Sequence, residues 1–577
     1  MKPSRVTELS AYWREFSAAG LLVLLVLLVY APVRHFALID YDDPVYVTLN
    51  PHVTGGLRAD NVRWAFTTRE GANWFPLTWL SLMADVQLDG QDAGAMHWTN
   101  VLLHAASTLL LFAFLVRTTR ARMPSALAAF VFALHPQHVE SVAWVAERKD
   151  VLSTLFWMLA LLAYARYVSR RERGAYALTL VLYCGGFLAK PMVVTLPAVL
   201  VLLDFWPFER YGKETAWNEI VRREGREKAP FFILAALMSV TTVIVQHSGG
   251  AVRPLGLFPI STRLGNAVVS SALYILKTLW PSRLAVYYPL HQAPPAWQIA
   301  AATLALLSIS ALVWRGWPAR RYPAVGWLWY LITILPVIGI IQVGDQARAD
   351  RYTYLPMVGL SLMVIWGGAD IWRQRPAVRP VLAAVCALAA CASVALTVRQ
   401  VSYWRDSTTL FGHANAAVEN NEVAHGCLAD ALREQGHYDA ALEEYRLALA
   451  INPRYVQALI NSGAVLGQMG RPREALAPLE SAVRLSDSDP KAHYGLGLAL
   501  GMLGRLREAE EQFEVALLLK PDWVLAEVGL ANTLGNLGRI DDAIAEFTAA
   551  LRLQPDSEAA RAGLQKALAL KDRSRGK

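Results

Sequence analysis

Long apolar segments alternate with short polar loops through the first 400 residues of the chain. The first segment, residues 18–33, follows three basic residues, but no small-x-small cleavage site comes after it, so we interpret it as a retained membrane span. Further segments reach the roughly 20 residues that cross the hydrocarbon core of a bilayer. They begin near Trp98, Ser125, Val151, Tyr176, Met192, Phe231, Gln298, Pro323, Leu355 and Val381. The pattern predicts an all-α, polytopic membrane helix bundle with about eleven spans.

The segment of residues 264–289 is also apolar, but Lys277 and the dipeptide Trp280-Pro281 interrupt its second half. A lysine and a proline are both unfavourable inside a helix that crosses the hydrocarbon core. We therefore predict a helix that lies in, or dips into, the membrane interface and does not cross it.

A repeat of 34 residues replaces the apolar segments from about Trp404 onward. Each unit has a glycine, then alanines five and twelve residues later, with a large side chain between the two alanines. This is the tetratricopeptide pattern, in which small residues lie where paired helices touch and at least three units share a core. The marking glycines are Gly436, Gly470, Gly504 and Gly538. The sequence predicts a membrane domain over residues 1–400 and a tetratricopeptide α-solenoid with flanking helices over residues 401–577.

Composition agrees with a membrane protein, since 55% of the residues are hydrophobic, 18% are charged and the mean hydropathy is +0.30. The net charge of +8 could indicate nucleic-acid binding, but the basic residues are concentrated in alternate short loops. These loops are residues 117–122, 166–174, 208–228, 315–321 and 372–379. Because basic loops stay on the cytoplasmic side, we predict a multi-pass protein of the inner (cell) membrane with a cytoplasmic N-terminus, and no nucleic-acid partner.

The other loops then face the outer side, provided that residues 264–289 do not cross. They are residues 35–97, 135–150, 248–296 and 342–354, and the repeat domain follows on the same, periplasmic side. The first outer loop, residues 35–97, is rich in tryptophan, which favours membrane interfaces. We predict that it forms two short amphipathic helices on the membrane surface.

Two acids, Asp42 and Asp43, come shortly after the first span. One interpretation is structural, with Asp43 as the N-cap of a short helix that begins at Pro44. The other is chemical, because a carboxylate with an ordinary pKa near 4 is ionised at neutral pH and can accept the proton of an attacking hydroxyl group. The residues alone leave both interpretations open.

The outer segment of residues 135–153 contains four consecutive charges, Glu147, Arg148, Lys149 and Asp150. A charge deep in a bilayer costs about 2.5 to 3.5 kcal/mol on insertion scales, so we place these residues at the membrane boundary. There Arg148 would clamp a lipid phosphate and Lys149 would contact it as a point charge. Salt bridges within the four residues are the alternative.

His135 and His138 in the same segment are three residues apart, but no further metal ligand accompanies them. We therefore assign no metal-binding residue and no certain cofactor, and a divalent metal stays an open option.

A third outer segment, residues 343–356, places Arg348, Asp350, Arg351 and Tyr352 at the mouth of a span. Charged segments that face one compartment predict a single cleft. Arg348 and Arg351 would be further phosphate contacts in it. The other candidate lining residues are Glu147, Asp150, Lys190, Asp350 and Tyr352.

Several long motifs resemble one family. They are "DYDD", "NWFPLTWLSLM", "HWTNVLLH", "HPQHVESVAWVAERKDVLS", "KPMVVTLPAVLVLLDFWP" and "ADRYTYLP", followed by the tetratricopeptide repeats. Together they are similar to the transmembrane tetratricopeptide (TMTC) proteins and their bacterial relatives, a family that resembles the GT-C glycosyltransferases. The resemblance implies a GT-C-like membrane domain and an O-mannosyltransferase-like enzyme, which takes a sugar from a polyprenyl-phosphate carrier at the outer face.

The resemblance also implies residue roles, with Asp42 or Asp43 as the acid of the first outer loop and Arg148 and Lys149 as lipid-phosphate contacts. The related O-mannosyltransferases carry Asp-Glu at this place, so the sequence does not say which acid is the base. The implied reaction transfers a sugar, such as mannose, to a hydroxyl group of a protein or other acceptor, and the repeat array binds the acceptor or a partner. Two alternatives are a transporter (flippase) of lipid-linked sugar, which needs no base, and a membrane-anchored repeat scaffold without catalysis.

Overall fold

The computed structural model describes residues 5–575 except positions 213 and 318. The chain forms two compact units, Met1–Val418 and Glu419–Lys577. Helices dominate both units, and the described strands form a single two-stranded sheet. The predicted all-α fold is confirmed.

The first unit consists of α-helices joined by short irregular turns. The α-helices are α1 (Arg5–Tyr30), α2 (Pro51–Thr54), α3 (Ala59–Thr67), α4 (Pro76–Asp89), α5 (Ala93–Thr119), α6 (Arg122–Leu134), α7 (Val139–Ala143), α8 (Arg148–Arg170), α9 (Arg173–Ala189), α10 (Leu196–Phe205), α11 (Trp217–Ser248), α12 (Ile260–Leu279), α13 (Ala296–Gly316), α14 (Tyr322–Ile334), α15 (Pro356–Gln374), α16 (Arg379–Ser402) and α17 (Ser407–Ala417). Short 3-10 helices cover Ala31–His35, Glu70–Ala72, Pro136–His138, Val145–Glu147, Pro191–Thr195, Leu335–Val337, Asp350–Thr353 and Pro376–Val378, and Pro44–Thr48 is a π-helical turn.

Helix ends follow local sequence signals. The side chain of Asp92 caps α5 by accepting from the backbone N–H of Ala95 at 3.2 Å. Helices α5 and α8 both end at an arginine in the left-handed conformation, Arg120 and Arg171, each with φ of 56°. This conformation turns the chain into the next helix after only a few residues, which keeps α8 and α9 antiparallel neighbours.

A helix lies at the place of each predicted span. Among the described residues, six helices are both long and apolar enough to cross a membrane, and they cover Trp13–His35, Ala93–Thr119, Val145–Arg170, Trp217–Ser248, Ala296–Gly316 and Pro376–Ser402. Four apolar helices are shorter, namely Arg122–Leu134, Arg173–Ala189, Pro191–Phe205 and Tyr322–Val337. A helix of 13 residues such as α6 extends only about 20 Å, so the count of eleven spans stays a prediction.

Helix α12 ends at Leu279, directly before the Trp280-Pro281 dipeptide. Its buried face is polar, because the side chains of Asn266 and Ser270 both donate to the carbonyl of Ala347, at 2.7 and 3.4 Å. Beyond it, strand β1 (Tyr288–Pro289) pairs antiparallel with strand β2 (Gln346–Arg348). These contacts fix the two long loops of the unit against each other, and the interfacial position of α12 stays a prediction.

The segment after α16 packs within the first unit. The backbone N–H of Ala37 donates to the carbonyl of Arg405 at 3.0 Å, and the N–H of Asp40 donates to the hydroxyl of Ser407 at 2.8 Å. The rings of Trp144 and Trp404 lie 5.7 Å apart. Helix α17 is thus joined to the loop of residues 35–97, and the domain boundary at residues 400 and 401 remains a prediction.

The second unit is an array of paired helices. They are α18 (Glu422–Glu434), α19 (Tyr438–Ile451), α20 (Val456–Gln468), α21 (Pro472–Leu485), α22 (Pro490–Met502), α23 (Leu506–Leu519), α24 (Val524–Asn536), α25 (Ile540–Leu553) and α26 (Glu558–Arg575). The four marking glycines lie in the turns with φ between 70° and 81°, a conformation that favours glycine. Alanines five residues later, such as Ala441 and Ala475, are fully buried. The predicted tetratricopeptide solenoid is confirmed.

Candidate active site

Asp43 joins two segments of the predicted cleft. It is completely buried, and its two carboxylate oxygens accept from the backbone N–H groups of Ile39 and Ala146, each at 2.8 Å. Asp43 does precede the turn Pro44–Thr48, but its side chain makes no capping hydrogen bond there, so the N-cap interpretation of this side chain is wrong. Burial raises the pKa of Asp43 to about 7, against the effect of the two N–H donors. Both oxygens are engaged in holding the first loop in place.

Asp42 is the more accessible of the two acids. Asp42 is partly exposed. Its carboxylate forms no hydrogen bond or ion pair with any residue that the structure describes. Burial raises the pKa of Asp42, the nearby charges of Lys149 and Arg351 lower it, and that of Glu147 raises it again. No hydrogen-bond donor of a described residue therefore occupies the carboxylate oxygens of Asp42.

Arg148 lies inside the bundle and not in the cleft. Its side chain is completely buried. The guanidinium donates to the carboxylate of Asp85 at 2.6 Å, to the hydroxyl of Ser81 at 2.8 Å and to the carbonyl of Met96 at 2.8 Å. It also donates to the side-chain oxygen of Asn100. A buried ion pair with further hydrogen bonds is costly to separate. The position favours a structural role for Arg148, since a lipid phosphate would have to displace these partners.

The neighbouring charges form one network. Glu147 pairs with Lys149 and with Lys190, both at 3.2 Å, and Lys190 also pairs with Asp150 at 2.5 Å. Lys149 lies over the ring of Tyr46, 4.6 Å from its centroid. The side chains of Lys149 and Lys190 retain exposures of 12% and 13%, whereas that of Glu147 has 1%. The two lysines thus form the accessible edge of a largely buried network.

Arg351 extends this network toward Asp42. It pairs with Glu147 at 3.2 Å and, more closely, with Glu140, which also accepts from the backbone N–H of Arg351 at 3.0 Å. Burial raises the pKa of Glu140 to about 7, against the lowering effect of Arg351. Sequence reasoning missed Glu140. Its signal in the sequence was an acid four residues before Trp144, in the same segment as the two histidines.

A second basic group surrounds Tyr288. The hydroxyl of Tyr288 donates to Asp350 at 2.8 Å, and the guanidinium of Arg348 lies over the tyrosine ring, 4.2 Å from its centroid. The ammonium of Lys277 lies 5.8 Å from the same centroid and donates to the carbonyl of Arg283 at 2.8 Å. Burial raises the pKa of Asp350, while the charges of Lys277 and Arg348 lower it. Sequence reasoning noted Lys277 only as an interruption of the apolar segment 264–289, and it missed Arg283 and Tyr288.

The two groups differ in charge balance. Around Asp42, the three cations Lys149, Lys190 and Arg351 are matched by Glu140, Glu147 and Asp150. Around Tyr288, the charges of Lys277 and Arg348 lie near one carboxylate, that of Asp350, and the charge of Arg283 lies near Lys277. Within the described residues Arg348 forms no ion pair or side-chain hydrogen bond. An anionic ligand is therefore favoured at the second group.

Tyr352 and the two histidines have structural contacts. The hydroxyl of Tyr352 accepts from the side chain of Gln346 at 3.2 Å. One ring nitrogen of His135 forms a hydrogen bond with the backbone carbonyl of Thr278, and one of His138 does so with the carbonyl of Phe132. In the part of the chain that the structure describes, no group of three or more His, Cys, Asp or Glu residues could hold a metal ion.

An apolar groove of about 980 Å³ adjoins the second basic group. Helices α6, α15 and α16 form its walls, with side chains such as Phe130 and Leu388. Polar residues lie at one end, including Arg283, Arg399 and His413. The groove therefore combines a long apolar surface with a cationic end, which are the features that an anionic lipid requires.

Family models match two parts of the chain. Residues 76–215 match the model described as dolichyl-phosphate-mannose-protein mannosyltransferase, and residues 429–470, 460–523 and 528–573 match tetratricopeptide repeat models. The first match covers Arg148, Lys149 and Lys190, but it begins after Asp42 and ends before the segment of residues 343–356.

Curated relatives named protein O-mannosyl-transferases are similar to parts of this chain. Protein O-mannosyl-transferase TMTC1 of Homo sapiens is 23% identical over 488 residues, which cover 74% of this chain and 54% of the relative. Protein O-mannosyl-transferase Tmtc1 of Drosophila melanogaster is 24% identical, covering 73% and 60%. Tmtc2 of the same fly is 32% identical over 179 residues, covering 28% and 19%. The chain spans about half the length of the relatives it matches, and the predicted resemblance to the TMTC group is confirmed.

Some solved structures are similar to a quarter to a third of this chain. MamA from Desulfovibrio magneticus RS-1 is 23% identical and covers 26% of this chain and 85% of its own, with a TM-score of 0.25. A thermophilic tetratricopeptide protein of Thermus thermophilus is 24% identical, with coverages of 32% and 95% and a TM-score of 0.26.

Proposed function

We propose that the protein is a membrane glycosyltransferase that transfers a sugar from a polyprenyl-phosphate carrier to a hydroxyl group at the outer face of the membrane. The observation that carries the proposal is the unoccupied carboxylate of Asp42 next to Lys149 and Arg351. The similarity to protein O-mannosyl-transferases supports mannose as the sugar and a protein as the acceptor. The basic loops support an inner-membrane location with the cleft on the periplasmic side.

The donor would lie in the apolar groove between α6, α15 and α16. Its polyprenyl chain would contact the groove walls, and its phosphate would bind at Arg348, Lys277 and Arg283, where cations outnumber carboxylates. Arginine contacts a phosphate through two parallel N–H donors, which fixes its orientation. Arg148 would support the cleft from inside the bundle and would not contact the donor.

The reaction would proceed by direct attack on the anomeric carbon of the donor sugar. The acceptor hydroxyl oxygen forms a bond to that carbon while its proton moves to the carboxylate of Asp42. The bond between the anomeric carbon and the phosphate oxygen breaks, and polyprenyl phosphate leaves with the electron pair. Fixed cations stabilise the negative charge that develops on the leaving phosphate.

Lys149 and Arg351 would keep Asp42 ionised. Burial raises the pKa of Asp42, and these two cations oppose that effect. Glu140 and Glu147 hold Arg351 through two ion pairs, so the cation remains close to the base. The network of buried acids is thus a support for the base and does not itself need to transfer a proton.

The repeat array would bind the acceptor protein or a partner. Tetratricopeptide arrays present an extended surface for peptides, and their helices carry no chemistry of their own. The two compact units of the chain are consistent with separate roles for donor chemistry and acceptor binding.

The proposal is tested with the purified full-length protein in detergent, supplied with polyprenyl-phosphate mannose and an acceptor peptide. The expected result is release of polyprenyl phosphate that depends on the acceptor and is lost in Asp42→Asn. The matched control is Asp60→Asn, which removes an exposed carboxylate of the same loop. In sealed vesicles, movement of the lipid across the bilayer without sugar transfer would support a transporter and contradict the proposal.

A further inference from the structure

A second cavity, of about 530 Å³, lies near the opposite end of α8 from Arg148 and Lys149. It is lined by Tyr167 of α8, by Arg173 and Tyr176 of α9, and by Glu219, Arg222, Arg223, Arg226 and Glu227 of α11. Tyr167 is separated from Arg148 along α8 by roughly 30 Å at 1.5 Å per residue. The cavity is thus independent of the proposed active site.

The cavity carries an excess of positive charge. Of its two acids, Glu227 is already paired with Arg210 and Lys228, each at 2.7 Å. Arg173, Arg222 and Arg226 are exposed, and none of them forms an ion pair or hydrogen bond through its side chain with a described residue. Three arginines without partners at one cavity favour an anion that accepts from several guanidinium groups.

The position of the arginines indicates where the anion comes from. Helix α11 is one of the candidate spans, and its apolar stretch begins within one turn of Arg226. Ile233, Leu237 and Val240 continue on its exposed surface, with exposures of 61%, 62% and 60%. Basic pockets between membrane helices, at the level where the apolar surface begins, are typical sites for anionic lipid head groups.

The geometry points to a site for an anionic membrane phospholipid between α8, α9 and α11. Its phosphate would be held by Arg173, Arg222 and Arg226, and its acyl chains would lie along the exposed apolar surface of α11. Behind the site, the fully buried pair of Lys228 and Asp204, 2.9 Å apart, fixes α11 against α10. The lipid would thus bind to a prearranged surface and would not need to reorganise the helices.

Native mass spectrometry of the full-length protein in detergent tests the inference, with added phosphatidylglycerol and, separately, phosphatidylcholine. The variant R222Q/R226Q should weaken phosphatidylglycerol binding by about tenfold or more, since each arginine near a membrane contributes about 1 kcal/mol to binding an anionic lipid. The control R315Q/R375Q removes the same charge from exposed arginines of two other basic loops and should leave binding within about twofold. The single variant R226Q should show an intermediate loss.

Three results would overturn the inference. Equal binding of phosphatidylglycerol and phosphatidylcholine would exclude a head-group site selective for negative charge. Unchanged phosphatidylglycerol binding in both R222Q/R226Q and R226Q would show that these arginines do not hold the lipid phosphate. Displacement of phosphatidylglycerol by millimolar inorganic phosphate would assign the cavity to a soluble anion. Thermal unfolding of the lipid-free variants checks that they fold.

Discussion

Asparagine substitutions at Asp42 and Asp43 should have different effects on rate and on stability, although the two residues are adjacent. The carboxylate of Asp42 accepts no hydrogen bond from a described residue, whereas that of Asp43 accepts from two backbone N–H groups. Asparagine keeps the size of aspartate but cannot accept a proton at neutral pH. We therefore expect the loss of rate to be direct at Asp42 and indirect at Asp43.

The magnitudes follow from these contacts. Asp42→Asn should reduce turnover by about 100- to 10,000-fold, the usual contribution of a general base, and change the free energy of unfolding by less than about 0.5 kcal/mol. In Asp43→Asn, the side-chain amide has one oxygen and can accept from only one of the two backbone N–H groups. Its NH₂ group then faces the other N–H, that of Ile39 or Ala146, which loses its acceptor. A buried donor without an acceptor costs about 1 to 3 kcal/mol.

Three measurements on each variant separate the roles. Turnover is measured at saturating polyprenyl-phosphate mannose, donor affinity by titration of the lipid, and stability by thermal unfolding in the same detergent. Asp60→Asn, on the exposed surface of the same loop, is the control and should match the unchanged protein in all three.

Normal turnover in a folded Asp42→Asn variant would refute the assignment of the base. If Asp43→Asn then lost turnover without losing stability, the two roles would be exchanged. If neither variant lost turnover, a transporter of lipid-linked sugar would become the better explanation of the cleft.

Further predictions concern the cations and the array. Arg148→Ala should destabilise the protein by about 3 to 5 kcal/mol, because it leaves a buried carboxylate without its partner, and thermal unfolding should show this before any selective loss of donor affinity. Since a base acts only when ionised, turnover should fall as the pH drops through the raised pKa of Asp42. The charge of Lys149 lowers this pKa. Lys149→Gln should therefore raise the pKa and move the acid limb of the pH–rate profile to higher pH. Removal of residues 419–577 should leave donor binding intact and reduce transfer to a large acceptor, whereas removal of residues 404–577 should also destabilise the membrane unit. A cysteine introduced into the array should react with an impermeant thiol reagent once the outer layer of the cell is permeabilised, and protection until the inner membrane is lysed would contradict the predicted topology.

Most of the fold could be predicted because its signals are local. Apolar segments long enough for a helix mark the membrane unit, and the repeat of glycine and alanine marks each helix pair of the array. Helix length along the chain does not show which helices cross the membrane, because α6 and α10 contain only 13 and 10 residues. Short helices inside a bundle are shielded from lipid by their neighbours, so their length does not report the thickness of the bilayer.

The candidate site was only partly predictable, and Arg148 shows why. In the sequence Arg148 and Lys149 are adjacent cations, and either could bind a lipid phosphate. The burial of Arg148 depends on Asp85 and Asn100, which lie on α4 and α5, and no spacing along the chain indicates that these helices meet at the start of α8. Adjacent residues of a helix point in different directions, so Arg148 is directed into the bundle while Lys149 reaches the cleft.

The same reasoning explains the difference between Asp42 and Asp43. Asp43 lies beside Pro44 in the sequence, but its carboxylate is held by the backbone N–H of Ala146, about a hundred positions away. That contact brings the loop to the Glu147 and Arg351 ion pair, and the charges of this pair act on Asp42. Asp43, which is buried with both carboxylate oxygens engaged, thus sets the position of Asp42, whose carboxylate accepts no hydrogen bond from a described residue. Two identical side chains in sequence have different chemistry because only one of them supports the loop.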